Sequence, residues 1–279
     1  MLKITLLKTT KDTAQTDRDV LMKPATSAEP IITKAFSFRL EIFKEPQAVA
    51  EAAATLLLQH ISVNPKCVLL LPTGRTPLAM YAAMVERLQQ KPLKLELVQS
   101  FNLDEFYGIP ADHPGSYHTY MRNALFDHIA VPQANLHLLN GMAASPEAEC
   151  AAYEAQIEAA GGIDLGVLGI GANGHIGFNE PGSEVTSRSH RVALQPGSRA
   201  ANSYLFNDEL ESVPESALTV GIATIMEARQ ILLLATGPEK ASALAALMHG
   251  AITPKLPASY LRLHHSVLIL ADEAAASEL

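Results

Sequence analysis

The sequence predicts an α/β protein: a doubly wound, mostly parallel sheet with helices on both faces. Short, continuous apolar runs recur along the chain, and helix-patterned segments separate most of them. A strand that is apolar at every position is covered on both faces, the condition of a parallel sheet flanked by helices. In such sheets a ligand sits beyond the carboxyl ends of the strands, and three of these strand ends carry unusual loops.

The elements follow in order. Residues 1–35 stand apart, with six basic and four acidic residues, and from Thr9 to Pro30 they lack periodicity. They are expected to form a flexible extension, leaving 36–279 as a single domain. FSFRLEIF (36–43) alternates like a half-buried strand, and 49–61 reads as a helix. CVLLLP (67–72) is a short apolar strand ending in a Pro-Thr-Gly turn. Residues 77–88 are helical, with Pro77 suited to a first turn. LELVQSF (95–101), DLGVLGIG (164–171), QILLLAT (230–236) and SVLILA (266–271) are further strands. Segments 117–128, 147–160 and 239–249 are the helices between them.

Composition narrows the function. With 279 residues, 48% of them hydrophobic, the chain can build one large core. Its formal net charge of -8 argues against a nucleic-acid surface, which needs a basic stripe. A small anion needs only a local positive pocket. Cys67 and Cys150 read as buried thiols of a reducing cytoplasm. No signal-peptide core or membrane-length apolar run is present, so a soluble cytoplasmic protein with no membrane partner is expected.

Three motifs carry chemistry. In Pro72-Thr73-Gly74-Arg75-Thr76-Pro77, between strand and helix, glycine permits a tight turn and the threonines offer hydroxyls. The helix points free N–H groups at the loop, as a phosphate requires. The segment alone reads equally well as an ordinary turn with a Thr N-cap. Asp104 and Glu105 follow strand 95–101. Adjacent carboxylates repel, so one can be held at a raised pKa as a general base; taken alone, the pair also fits a loop cap. The third motif, residues 169–182, holds five glycines in fourteen residues, with Asn173, His175, Asn179 and Glu180 among them. A His with a carboxylate five residues on can form an oriented imidazole for proton transfer. The remaining nine His show no metal spacing, and no G-x-S-x-G elbow marks a serine hydrolase.

Together, LPTGRTPLAMY, SFNLDEFYGIP with HPGSY, LGIGANGHIGFNEPGS, ALTVGIATI and PASYLRLH resemble the glucosamine-6-phosphate deaminase family, in order over residues 38–276. The resemblance implies a Rossmann-like sheet and an amino-sugar 6-phosphate substrate, isomerised and deaminated without metal or redox cofactor. A homo-oligomer is compatible with it. By this resemblance Asp104 matches the base that moves a proton between C2 and C1. His175 matches the acid/base of ring opening, and Glu180 the carboxylate that orients it. Asn173 falls where some members carry Asp. Thr73, Gly74, Arg75 and Thr76 match the phosphate loop, and Lys240 the phosphate lysine; Glu105 and Tyr204 are counted with the substrate-binding set. The chain departs from the family at Tyr204, where an Arg is common, and at Arg75, where a small residue is usual. His190 and Val192 stand where allosteric members carry cations, beside Ser183, so hyperbolic kinetics without an N-acetylated effector are expected.

Galactosamine 6-phosphate would use the same machinery. A 6-phosphogluconolactonase would not need the Asp104-Glu105 pair. A sugar-phosphate sensor of a transcription regulator would need a helix-turn-helix, for which residues 1–35 are too short and irregular.

Overall fold

The computed structural model describes residues 6–8 and 38–279. In chain order the first elements are β1 (Leu6–Lys8), β2 (Arg39–Phe43), α1 (Pro46–Val63), β3 (Val68–Leu71), α2 (Arg75–Gln90) and β4 (Gln99–Asn102). Next come β5 (Asp104–Tyr107), α3 (Tyr117–Ala124), β6 (Leu136–His137), α4 (Pro146–Ala159), β7 (Leu165–Gly169) and β8 (His190–Ala193). The chain ends with α5 (Pro196–Asn202), β9 (Ser216–Thr219), α6 (Ile222–Met226), β10 (Gln230–Ala235), α7 (Ala241–His249) and β11 (Val267–Asp272).

The central sheet has the order β1-β2-β11-β10-β7-β3-β4-β6, and every neighbouring pair is parallel. All six residues of β10 and of β11 are buried, which explains their unbroken apolar sequence. Alternate side chains feed two cores, as the period of a strand dictates. Leu69 and Leu71 pack with α1, α2 and α3. Val68 and Leu70 pack on the other face, with α4, α6 and α7. The expected doubly wound architecture is therefore present.

Some boundaries differ from expectation. Leu6–Lys8, inside the segment expected to be a flexible extension, pairs in parallel with β2; residues 1–5 and 9–35 lie outside the described residues. The strand expected over 95–101 is confined to Gln99–Asn102. Its ladder begins only where Gln99 N–H reaches the Cys67 carbonyl, and Val98 N–H closes a turn on Leu95 instead. The helix expected over 117–128 stops at Ala124, because Leu125 leaves helical geometry before a short 3-10 turn. The helix expected from 239 begins as a 3-10 turn, and α7 starts at Ala241.

The larger difference is a second sheet, antiparallel, in the order β5-β9-β8. Asp104 and Glu105, expected in a loop, lie on its first strand. The chain leaves β4, passes through Leu103 and enters β5, so one extended segment serves both sheets. Leu103 N–H bonds the Leu71 carbonyl, and its own carbonyl accepts from Val220 N–H. This fixes Asp104 at the seam. Among the described residues no helix is long and apolar enough to cross a membrane. Cys67 and Cys150 are buried and unbridged.

Candidate active site

Strand order reverses between β3 and β7. From β3 the chain winds outward through β4 and β6; from β7 it winds the other way through β10 and β11. Such a switch point opens a crevice at the carboxyl ends of the strands. A cleft of ≈ 550 Å3 lies there, lined by the segments that follow β3, β4, β7 and β10, and by α5 with the turn after it.

At one end sits the loop after β3. Gly74, with φ 105, is the residue before α2 and occupies a conformation that other residues adopt only with strain; it, not a threonine, is the N-cap. The hydroxyls of Tyr81 and Tyr120 donate to the carbonyls of Pro72 and Gly74, each at 2.6 Å. With those carbonyls held, the first turn of α2 presents its free N–H groups at the cleft. Thr76 Oγ1 lies 3.1 Å from Thr236 Oγ1, tying this loop to the one after β10. That second loop brings Lys240 and Glu239 to the cleft. Burial lowers the Lys240 pKa, while the nearby Glu239 charge raises it. The Arg75 guanidinium lies over the Tyr204 ring, 4.5 Å from its centroid. A helix N-terminus, hydroxyls and cations together suit a dianionic phosphate.

Asp104 lines the same cleft and is 6% exposed. Its Oδ1 is buried without a protein partner. Burial, helped by the Glu105 charge and opposed by the Thr73 hydroxyl, pushes its pKa up to about 8. A carboxyl poised near neutrality suits a general base. The shift also has a stability signature. Between about 4 and about 8 the folded protein holds the Asp104 proton and the unfolded chain releases it. Stability therefore falls as pH rises through that window. Asp104→Asn should flatten this part of the curve and leave the variant more stable than the parent at the alkaline end, read by thermal unfolding against pH. An equal slope in both proteins would show that Asp104 does not titrate there.

The Gly-rich loop after β7 supplies His175, whose Nδ1 lies 3.5 Å from Glu180 Oε2; the Glu180 side chain is 5% exposed. Burial acts to raise the Glu180 pKa, yet interactions with His175, Ser198 and Asn173 outweigh it and hold the carboxyl below its ordinary value. Asn173 bridges the motif. Its Nδ2 donates to Glu180 Oε2 at 2.9 Å, and its Oδ1 accepts from His175 N–H at 3.2 Å. Ser198 Oγ donates to the other carboxylate oxygen. An ionised, fully engaged Glu180 thus stands behind the imidazole. Gly171 lies against the ring: an added Cβ would fall 2.3 Å from His175 Cε1. Gly171→Ala should displace the imidazole and lower kcat on the order of 10²-fold, the scale of an ångström-size misplacement. Unchanged steady-state kinetics would show that ring position is not critical.

The structure thus gathers Thr73, Gly74, Arg75, Thr76, Asp104, Asn173, His175, Tyr204 and Lys240 around one cleft, with Glu180 behind His175. Glu105, expected at the substrate, lies outside the lining. Successive side chains of a strand point to opposite faces, and the Glu105 carboxylate accepts from the N–H groups of Phe106, Tyr117 and His118, anchoring the start of α3. Asn179, one of the polar residues of the Gly-rich motif, is fully buried and donates to the carbonyls of Ile176 and Val220. His190 and Val192 lie on β8, where His190 Nδ1 meets the Arg188 carbonyl and Val192 packs on the core. Sequence reasoning passed over Ser198, Tyr81, Tyr120 and Thr236. No local pattern marks Ser198, because its partner lies eighteen residues away across the cleft.

A family model described as glucosamine-6-phosphate isomerases/6-phosphogluconolactonase matches residues 44–270. A glucosamine-6-phosphate deaminase of Shouchella clausii (strain KSM-K16) is 48% identical over 234 residues, which is 84% of this chain and 94% of that one. One from Hahella chejuensis (strain KCTC 2396) is 46% identical over 241 residues, covering 86% and 92%. The solved structure of a monomeric glucosamine-6-phosphate deaminase superposes with a TM-score of 0.84 at 40% identity, over 86% of this chain and 99% of that one. A 6-phosphogluconolactonase from Trypanosoma brucei superposes with a TM-score of 0.69 at 22% identity, a likeness of fold alone.

Proposed function

Since this chain belongs to the glucosamine-6-phosphate isomerase/6-phosphogluconolactonase family, we infer that its cleft converts glucosamine 6-phosphate and water to fructose 6-phosphate and ammonia. The observation that carries this reading is the Asp104 carboxylate, buried in the cleft with one oxygen unpartnered.

The 6-phosphate lies at the N-terminus of α2, with Thr73 and Thr76 as donors and Lys240 as a cation. Opening the pyranose ring requires a proton at the ring oxygen, and His175, oriented by Glu180, supplies it. Glu180 is itself held by Asn173 and Ser198. The open chain carries a C1 aldehyde that acidifies the C2 proton. Asp104 takes that proton and returns it at C1, through an enolamine, while the former aldehyde oxygen gains a proton and the nitrogen on C2 gives one up. The C2 imine that results adds water and releases ammonia, leaving the ketose. No step needs electrons from outside the substrate.

Lactone hydrolysis would leave the proton carrier without a task, and the relatives sharing nearly half of this sequence are named as deaminases. Ammonia release tests the reading, with glucosamine 6-phosphate, galactosamine 6-phosphate and unphosphorylated glucosamine as substrates. The glucosamine ester should give the highest kcat/KM and the free sugar very little. Preference for the galactosamine ester would change the sugar. Release from none of them, with hydrolysis of 6-phosphogluconolactone, would overturn the reaction class.

A further inference from the structure

We propose that Tyr204 is a positioning residue that holds the Arg75 guanidinium as the second cation at the phosphate end of the cleft; this rests on the sugar-phosphate reading above. Charge makes the first part of the case. Among the described residues, the Lys and Arg side chains lining the cleft are Arg75 and Lys240, and Glu239 lines it beside Lys240. Lys240 and Glu239 offset one another. Arg75 is what makes this end of the cleft cationic, and a dianion there needs that surplus.

Geometry makes the second part. Arg75 opens α2, so its side chain starts where the helix N–H groups face the cleft. Among the described residues no carboxylate forms an ion pair with it. Its guanidinium carbon lies over the Tyr204 ring, 4.5 Å from the ring centroid. An exposed, unpaired Arg samples many rotamers. Stacking removes that freedom before the ligand arrives. It engages the face of the guanidinium and leaves the N–H edges, which grip a phosphate in pairs.

Tyr204 itself is placed at a cost. Its hydroxyl is buried with no partner, a destabilising arrangement for a residue whose role is only to fill space. The ring belongs to neither large core cluster. The Arg75 contact is what this placement provides.

A double-mutant cycle tests the coupling, read as KM for glucosamine 6-phosphate and as affinity for inorganic phosphate measured by calorimetry. Arg75→Ala should raise KM roughly ten- to a hundredfold with kcat changed far less. Tyr204→Leu should raise KM about three- to thirtyfold, the range of a cation–π contact. Tyr204→Phe keeps the ring and should recover most of that loss. In the Arg75→Ala background, Tyr204→Leu should add almost nothing. The proposal is overturned if Arg75→Ala leaves KM and phosphate affinity unchanged. It is also overturned if Tyr204→Leu has the same effect with and without Arg75. Thermal unfolding checks that each variant is folded, and Tyr204→Met, which also removes the ring, carries the test if Tyr204→Leu is not. The phosphate titration reads the coupling even if the chain proves to act on another sugar phosphate, so the two readings fail separately.

Discussion

Asp104→Asn should lower kcat by on the order of 10²–10⁴ or more while sugar-phosphate affinity stays close to that of the parent. The substitution keeps the shape and volume of the side chain and removes only its capacity to take up a proton. Asp104 is the carboxylate that lines the cleft on the β4–β5 segment; its neighbour Glu105 is occupied by three backbone N–H groups and lies outside the lining. Glu105 is therefore unavailable as a replacement base. The proposed phosphate contacts lie on the loops after β3 and β10, away from Asp104, so affinity for the ester should survive. Inhibition by a non-reacting sugar phosphate measures it separately from turnover. Near-parental ammonia release from the variant would remove Asp104 from the mechanism.

His175→Gln should produce the second largest effect, and its size should depend on the form of the substrate. In the proposed mechanism His175 acts before Asp104, on the ring oxygen. A cyclic substrate needs that step and an open-chain analogue bearing the C1 aldehyde does not. The variant should lose on the order of 10²-fold or more on the cyclic ester and far less on the open chain, within the range for general acid–base catalysis. Glu180→Gln should show the same selectivity at smaller size. The amide still accepts a hydrogen bond but no longer places a negative charge behind the imidazole. Stopped-flow comparison of the two substrate forms is the measurement. Equal losses on both would mean that His175 does not act in ring opening.

The central sheet was legible because its strands are buried on both faces. β3, β7, β10 and β11 read as unbroken apolar runs for that physical reason. The antiparallel sheet was not legible. β8 is the polar, half-exposed HRVA and β9 the short SALT, and neither is separable by pattern from a loop. Missing that sheet led to the misplacement of Glu105. Once Asp104 and Glu105 lie on a strand, their side chains must face opposite ways, and only one can face the cleft. The His175–Glu180 pair was visible because both partners fall within one Gly-rich turn. Ser198, which completes the hold on Glu180, comes from a distant segment and leaves no local trace. Tyr81 and Tyr120, whose hydroxyls hold the loop after β3, are by pattern ordinary aromatic core residues of their helices, which their rings are.

The claim that ties these pieces together is that one buried carboxylate carries a proton from C2 to C1 during deamination. Glucosamine 6-phosphate deuterated at C2 tests it, with the products followed by nuclear magnetic resonance. Ammonia and fructose 6-phosphate should form in equal amounts, with the deuterium that survives exchange found at C1 in one stereochemical position. Deuterium spread evenly over both C1 positions, or ketose formed without ammonia, would contradict it.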